Sequence, residues 1–401
     1  MARESPRSDQ NEGVPACRGF TMLAMLGARG ASILSYFKRL ATIAVVAAVL
    51  LSATLAHAQT DIAKMSGAGR DIRKTKIADG IYQFMTMRDS YVRMLNSVVI
   101  VNQSDVLVFD TNTRPSSARL ILAEIRKITN KPVRYVVNSH WHPDHWSGNQ
   151  VYADAFPGVE IIATGKTAEF MHNVANMWPG KFRQQLATMQ SELEKEIASG
   201  KLMDGTPLTA ERRGKEEADV RDYKSFVEEA TSLRRVYPTL TYEDDLTVEH
   251  GGREFRFMSV TGDAEGTTAL YLPHEKVLIT GDAVSYPIPY VTPPPTRQAE
   301  SLRRLAQLDA DVIIPGHGPA FHDQEFLKLE LALLETVTNG VREELRKGAQ
   351  TLDEVQQAVT AESLRTQFTH GDSDLEARFA DRVKTLVKLA IREARDGQDL
   401  P

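Results

Sequence analysis

Residues 133–145 leave this chain the fewest options. Val133-Arg134-Tyr135-Val136-Val137 has the β-branched and aromatic composition of a buried strand, and it runs without a turn into Asn138-Ser139-His140-Trp141-His142-Pro143-Asp144-His145. Upstream, the β-rich runs Ile81–Thr86, Ser97–Val101 and Val106–Phe109 are separated by polar turns. An amphipathic helix is expected between them and the buried strand, with Pro115 in its first turn and Leu120, Ile121, Ile125 and Ile128 along it. Strand, helix, strand and then a polar cluster is the order in which layered α/β folds place a ligand site at the carboxyl end of a strand.

Four metal-capable side chains, His140, His142, Asp144 and His145, stand within six residues. Packed so tightly in a purely structural turn they would repel one another and resist desolvation, so a metal is the economical explanation. Cys17 is the only cysteine and lies far upstream. Imidazole and carboxylate donors without thiolate suit zinc, iron or manganese.

The segment His140-Trp141-His142-Pro143-Asp144-His145 resembles the HxHxDH signature of the metallo-β-lactamase superfamily. The resemblance extends to Gly281-Asp282, similar to the family's bridging aspartate, and to Pro315-Gly316-His317-Gly318, similar to its final histidine. It implies an α+β fold, an αββα four-layer sandwich with two mixed sheets face to face, helices outside and the metals at one edge. It also implies that His140 and His142 hold one metal, that Asp144, His145 and His317 hold the second, and that Asp282 bridges both. The chain departs from the pattern at Thr261-Gly262-Asp263-Ala264-Glu265-Gly266-Thr267, where the family usually carries histidine at the place of Asp263. The superfamily's alkylsulfatases use a carboxylate there, which implies Asp263 as a ligand; the alternative is an impaired first site, with Glu265 next in line. With Asp263, three carboxylates and a bridging hydroxide balance two divalent ions, and oxygen-loving metals gain somewhat over an imidazole site.

Around this core the sequence divides into three parts. Lys38-Arg39, an uncharged run Leu40–Leu55 and Ala56-His57-Ala58 form a signal-peptide pattern, with cleavage expected after residue 58. A domain is expected over 59–320, interrupted at about 164–235 by a charged helical insertion that breaks near Trp178-Pro179-Gly180 and Gly205-Thr206-Pro207. That insertion reads either as a solvated appendage or as a lid or dimer arm carrying Met171, Met177, Trp178 and Phe182 toward the site. Strands resume at Leu246–Glu249, Arg253–Val260, Thr268–Leu272, Val277–Thr280 and Val312–Ile314, with a hairpin turn at Gly251-Gly252 and a helix over Arg297–Leu308. Residues 321–401 are expected to be a C-terminal helical extension, with apolar stripes Phe326, Leu329, Leu333, Val337, Val341, Leu345 and Phe379, Val383, Leu386, Ala390, and a capping box at Thr351 and Glu354.

Removing the signal takes six of 48 Lys and Arg and three of 53 Asp and Glu, leaving 42 basic against 50 acidic groups and a net charge of −8. That sign argues against nucleic acid and anionic membrane as partners, since both are bound through clustered cations. The expected partner is a small-molecule substrate, with a homodimer as a further option, and the expected location is periplasmic or secreted. The function expected is metal-dependent hydrolysis by a metal-bridging hydroxide of an ester, thioester, lactone, lactam or sulfate ester, with two divalent ions, zinc first and manganese or iron as alternatives. Asp144 is expected to orient the nucleophile as well as ligate. The competing expectations are a mononuclear iron oxidoreductase of the sulfur-dioxygenase type, and a catalytically degenerate accessory protein. Tyr286, Tyr290 and Trp178 are the expected substrate walls.

Overall fold

The computed structural model describes residues 72–87, 94–175, 178–203, 205–291 and 294–396, without the side chains of 174–183. All belong to one unit, Lys64–Pro401. The signal segment, Met177 and the side chains of Trp178 and Phe182 lie outside the described residues. Among the described residues no helix is long and apolar enough to cross a membrane.

The amino-terminal half contributes β1 (Ile72–Ala78), β2 (Ile81–Thr86), β3 (Leu95–Val101), β4 (Val106–Phe109), β5 (Val133–Val137), β6 (Glu160–Thr164) and β7 (Leu240–Tyr242). The other half contributes β8 (Leu246–His250), β9 (Arg253–Thr261), β10 (Glu265–Leu272), β11 (Val277–Ser285) and β12 (Val312–His317). Hydrogen bonding follows β7-β6-β5-β4-β3-β12-β11-β10-β9-β8, with β2 and β1 added beside β3. The halves join through one residue pair, Leu95 with His317. The two sheets expected from the sequence are thus linked by that pairing into one hydrogen-bonded ladder.

Strand alternation shows how the ladder becomes layers, because successive side chains leave opposite faces. Val98, Ile100, Leu107, Phe109 and Val137 of the first half pack with Phe255, Phe257, Leu270, Leu272, Ile279 and Ile314 of the second, forming the inner core. Their neighbours Val99, Val106, Val108 and Val136 face outward onto α1 (Pro115–Ile128), which presents Ala118, Ile121, Leu122 and Ile125. On the far side, Met258, Tyr271, Leu278 and Ile313 face α7 (Pro295–Leu305), α8 (Glu325–Lys347) and α11 (Ser373–Ala394). Three apolar layers between four of secondary structure make an αββα sandwich. The predicted stripes on α8 and α11 are the faces buried there. The Thr351–Glu354 capping box starts α9 (Leu352–Ala358), and α10 (Glu362–Thr369) leads on to α11.

The insertion is three helices, α4 (Gly165–Ala175), α5 (Trp178–Ser199) and α6 (Ala210–Thr231), in chain order after α2 (Pro143–Trp146) and α3 (Asn149–Ala155). It is docked along one face while most of its surface stays exposed. Leu186, Tyr223 and Phe226 form a small core of their own, and the fully buried Arg114, at the N-cap of α1, grips Asp222 with two nitrogens at 3.0 and 2.7 Å. Its guanidinium lies 4.1 Å from the centre of the Phe226 ring. Glu229 accepts from the backbone N–H and hydroxyl of Ser116 at the positive end of α1.

Candidate metal centre

The parallel strands β4 and β5 end side by side, with Phe109 paired to Val137, so the residues that follow each strand emerge together. Beyond β5, Pro143 takes the first position of the one-turn helix α2, which curls the chain so that the His145 N–H reaches the His142 carbonyl at 3.0 Å. That turn brings Asp144 and His145 back beside His140. The other half supplies Asp263 from the β9–β10 turn, Asp282 from β11 and His317 from the end of β12.

All seven expected residues meet at this rim. His140 Nε2 and His142 Nδ1 stand 2.9 Å apart, with Asp263 oxygens 3.4 Å from the first and 3.0 Å from the second. Asp144 Oδ2 is 3.4 Å from His145 Nε2 and 3.3 Å from His317 Nε2. Asp282 Oδ2 is 3.5 Å from each of those nitrogens. Two ligands about 2.0–2.1 Å from a tetrahedral ion stand roughly 3.3 Å apart, so these donor spacings suit two adjacent ions. Donor atoms of His140, His142 and Asp263 form one group, those of Asp144, His145 and His317 another, and those of His140, His145 and Asp282 span the two. His145 Nε2 and Asp282 Oδ1 are buried and make no hydrogen bond within the described residues, an arrangement that costs about 1–3 kcal/mol per group unless something fills it. Nitrogen and oxygen donors without sulfur fit zinc, manganese or iron.

Glycine keeps the rim open. A Cβ on Gly316 would sit 1.8 Å from Asp282 Oδ1, so any side chain there would displace that carboxylate. Glu265 turns away from the centre onto Lys166 Nζ at 2.6 Å. Asp263 therefore has the geometry of a ligand, and Glu265 does not.

Charge is arranged in two zones. Burial opposes ionisation of Asp144 and Asp282, yet His145 and His317 outweigh it and hold both carboxyls well below the usual range. Burial likewise disfavours charged His145 and His317, but the surrounding aspartates raise both well above the ordinary histidine value. Burial, His145 and His142 push His140 well down. Burial lifts Asp263 although His142 pulls against it, and Asp263 in turn raises His142 against its own burial.

Two residues that the sequence reading missed support the ligands. Asp110 Oδ2 accepts from His145 Nδ1 at 2.7 Å and from the Ser139 hydroxyl at 2.7 Å, while its Oδ1 accepts from the Ser139 N–H at 2.7 Å. The Ser139 hydroxyl also meets His140 Nδ1 at 2.9 Å. The available signal was positional: Asp110 follows a buried strand as His140 does.

A cavity of about 900 Å³ opens over the centre, lined by His142, Asp144, Asp263, Asp282 and His317 together with Met94, Trp141, Tyr286 and Tyr290. The insertion adds Gln185 and Met189 of α5, and α11 adds Leu375 and Arg378. The expected walls Tyr286 and Tyr290 are present; Met171 is fully buried and lines none of it.

Such a fold and rim define a protein built to hold metal at the edge of an αββα sandwich. Residues 91–317 match the model of the metallo-beta-lactamase superfamily, more than half of the chain, and the protein belongs to that superfamily. This supports a hydrolase at the level of class. The chain is 26% identical over 238 residues to a linear primary-alkylsulfatase of Pseudomonas sp. (strain ATCC 19151), covering 55% of this chain and 40% of that one. Among solved structures it is similar to a stereoselective inverting sec-alkylsulfatase of Pseudomonas sp., with a TM-score of 0.52 and 18% identity over 80% of this chain and 50% of that one. It is also similar to a metallo-beta-lactamase from Pontibacter korlensis, with a TM-score of 0.47 and 18% identity over 66% of this chain and 99% of that one. The chain spans half or less of the length of the two alkylsulfatases.

Proposed function

We propose that this protein is a two-metal hydrolase of sulfate esters carried on an alkyl chain. The observation that carries this reading is Asp263 beside His140 and His142, a carboxylate at the departure from the usual pattern, joined to the similarity with an alkylsulfatase. His140, His142 and Asp263 would hold one ion, Asp144, His145 and His317 the other, and Asp282 would serve both. Bound divalent ions supply activation of water near neutral pH and polarisation of the scissile group. The second donor group favours this over a one-iron oxidoreductase.

The protein's own residues do the remaining work. Asp144, whose Oδ2 faces both His145 Nε2 and His317 Nε2, would ligate and orient the nucleophile. Met94, Trp141, Met189 and Leu375 line the cavity with apolar surface that covers an alkyl chain and keeps bulk water away. The negative net charge and the signal pattern fit an exported small-molecule enzyme without nucleic-acid partners.

The test reconstitutes purified protein with zinc, manganese or iron and measures sulfate release from decyl sulfate. An aryl octanoate and a β-lactam are assayed in parallel. Sulfate release that depends on metal supports the reading. Turnover of the carboxylic ester or the lactam without any sulfate release refutes it.

A further inference from the structure

Arg378 and Arg382 stand one turn apart on α11, at helical spacing i and i+4, where like charges repel. Arg378 is exposed and lines the cavity above the metal centre. Arg382 is half-buried, with its guanidinium 4.8 Å from the centre of the Tyr290 ring, another wall of that cavity. Neither makes an ion pair within the described residues, and the buried Nε of Arg382 has no hydrogen-bond partner there. Burial, with Arg378 adding to it, pulls the Arg382 guanidinium below its usual value, while Asp263 and Glu330 act on it only from beyond ion-pair distance. Among the described residues, Arg378 is the only lysine or arginine lining a cavity that also carries Asp144, Asp263, Asp282, Asp372 and Asp374. Two adjacent guanidiniums without a carboxylate between them, one with a buried unused donor, are arranged to receive an oxyanion.

We propose that Arg378 and Arg382 form an oxyanion-recognition site that selects an anionic ligand for this cavity. The proposal rests on the site described above but not on sulfate-ester cleavage itself. The oxyanion is either the scissile group or a second anionic group on the same molecule.

The probe is decane-1-sulfonate, which is not hydrolysed, with 1-decanol as its neutral counterpart. Both are titrated calorimetrically into the full-length metal-loaded protein and into Arg378→Gln, Arg378→Lys and Arg382→Gln. Loss of a charge-assisted contact should weaken sulfonate binding about tenfold or more in Arg378→Gln, leave decanol within twofold, and be largely restored in Arg378→Lys. Arg378 is exposed, so its variants report even where Arg382→Gln folds poorly. Sulfonate affinity that falls less than fivefold in Arg378→Gln, or a loss shared equally by decanol, overturns the proposal. With a turned-over substrate, joint change of kcat and KM places the scissile group at the pair, and change of KM alone places a second anionic group there. A wild type that binds the sulfonate but releases no sulfate from decyl sulfate refutes the hydrolytic reading and leaves this one standing.

Discussion

Replacing Asp110 by asparagine should cripple one metal site and spare the fold. Asp110 sits at φ 59°, in the left-handed region that asparagine also tolerates, so the change removes charge without new backbone strain. The Ser139 N–H keeps one amide oxygen as acceptor, which forces the new NH₂ group into the place of Oδ2. There it meets His145 Nδ1 as a donor, where the carboxylate accepted at 2.7 Å. Nδ1 must then become the acceptor, and the imidazole proton moves to Nε2, the atom that faces Asp144 and Asp282. A protonated Nε2 cannot ligate. Losing the partner of a ligating histidine typically costs 10–100-fold in metal affinity, or about 1.4–2.7 kcal/mol, and the inverted tautomer argues for the upper end. Competition with a chromophoric chelator at pH 7.5 should show one ion per chain weakened about a hundredfold, with the thermal melt still cooperative. Two ions bound within threefold of wild-type affinity by a folded Asp110→Asn protein would refute the tautomer argument.

Other expectations follow from the same geometry. Asp263→Asn should lose the ion near His140 and His142, whereas Glu265→Gln, whose carboxylate is committed to Lys166, should retain two ions by elemental analysis. The reverse outcome would exchange their roles. The surrounding aspartates favour the protonated forms of His145 and His317 in the metal-free protein, and metal binding there should displace protons. Titration calorimetry in buffers of differing ionisation heat should therefore show about two protons released per chain and affinity falling as pH drops, while no release would contradict the raised values. Arg114→Ala leaves Asp222 and the Phe226 face without their buried partner, and urea unfolding should show a loss of about 3 kcal/mol or more. A loss below 1 kcal/mol would mean that the insertion is not held there. Intact mass of exported protein should correspond to a chain starting at Gln59, and a retained Leu40–Leu55 segment would mean an uncleaved anchor.

The parts of this protein legible in its sequence are those with local cause. Val133–Val137 and Ile81–Thr86 are strands with the predicted bounds because β-branched and aromatic residues dominate them. The Thr351–Glu354 box forms because both partners lie within one turn. The seven His and Asp residues were readable as types at motif spacing. What escaped depends on distant partners. β7, three residues long, exists only because β6 offers it a parallel edge, and β6 itself borders what read as insertion. The docking of α6 depends on Arg114 and Asp222, 108 positions apart, and neither carries a local signature. Asp110 looks like any aspartate after a strand until the neighbouring strand is known. Arg378 lies on a helix whose apolar stripe predicts packing but not what its polar side overlooks.

Within the ladder, among the described residues, the two halves pair only at Leu95 with His317, and the candidate metal centre lies beside that pairing as a second clasp. His140, His142, Asp144 and His145 belong to one half of the ladder, and Asp263, Asp282 and His317 to the other. Neither half alone owns all the donors of these candidate groups. A complete donor set is thus a certificate of assembly, issued only when two separately patterned stretches of chain have closed on each other in the correct register. A destabilising substitution anywhere along the inner core should then announce itself as leaking metal before it shows as lost secondary structure.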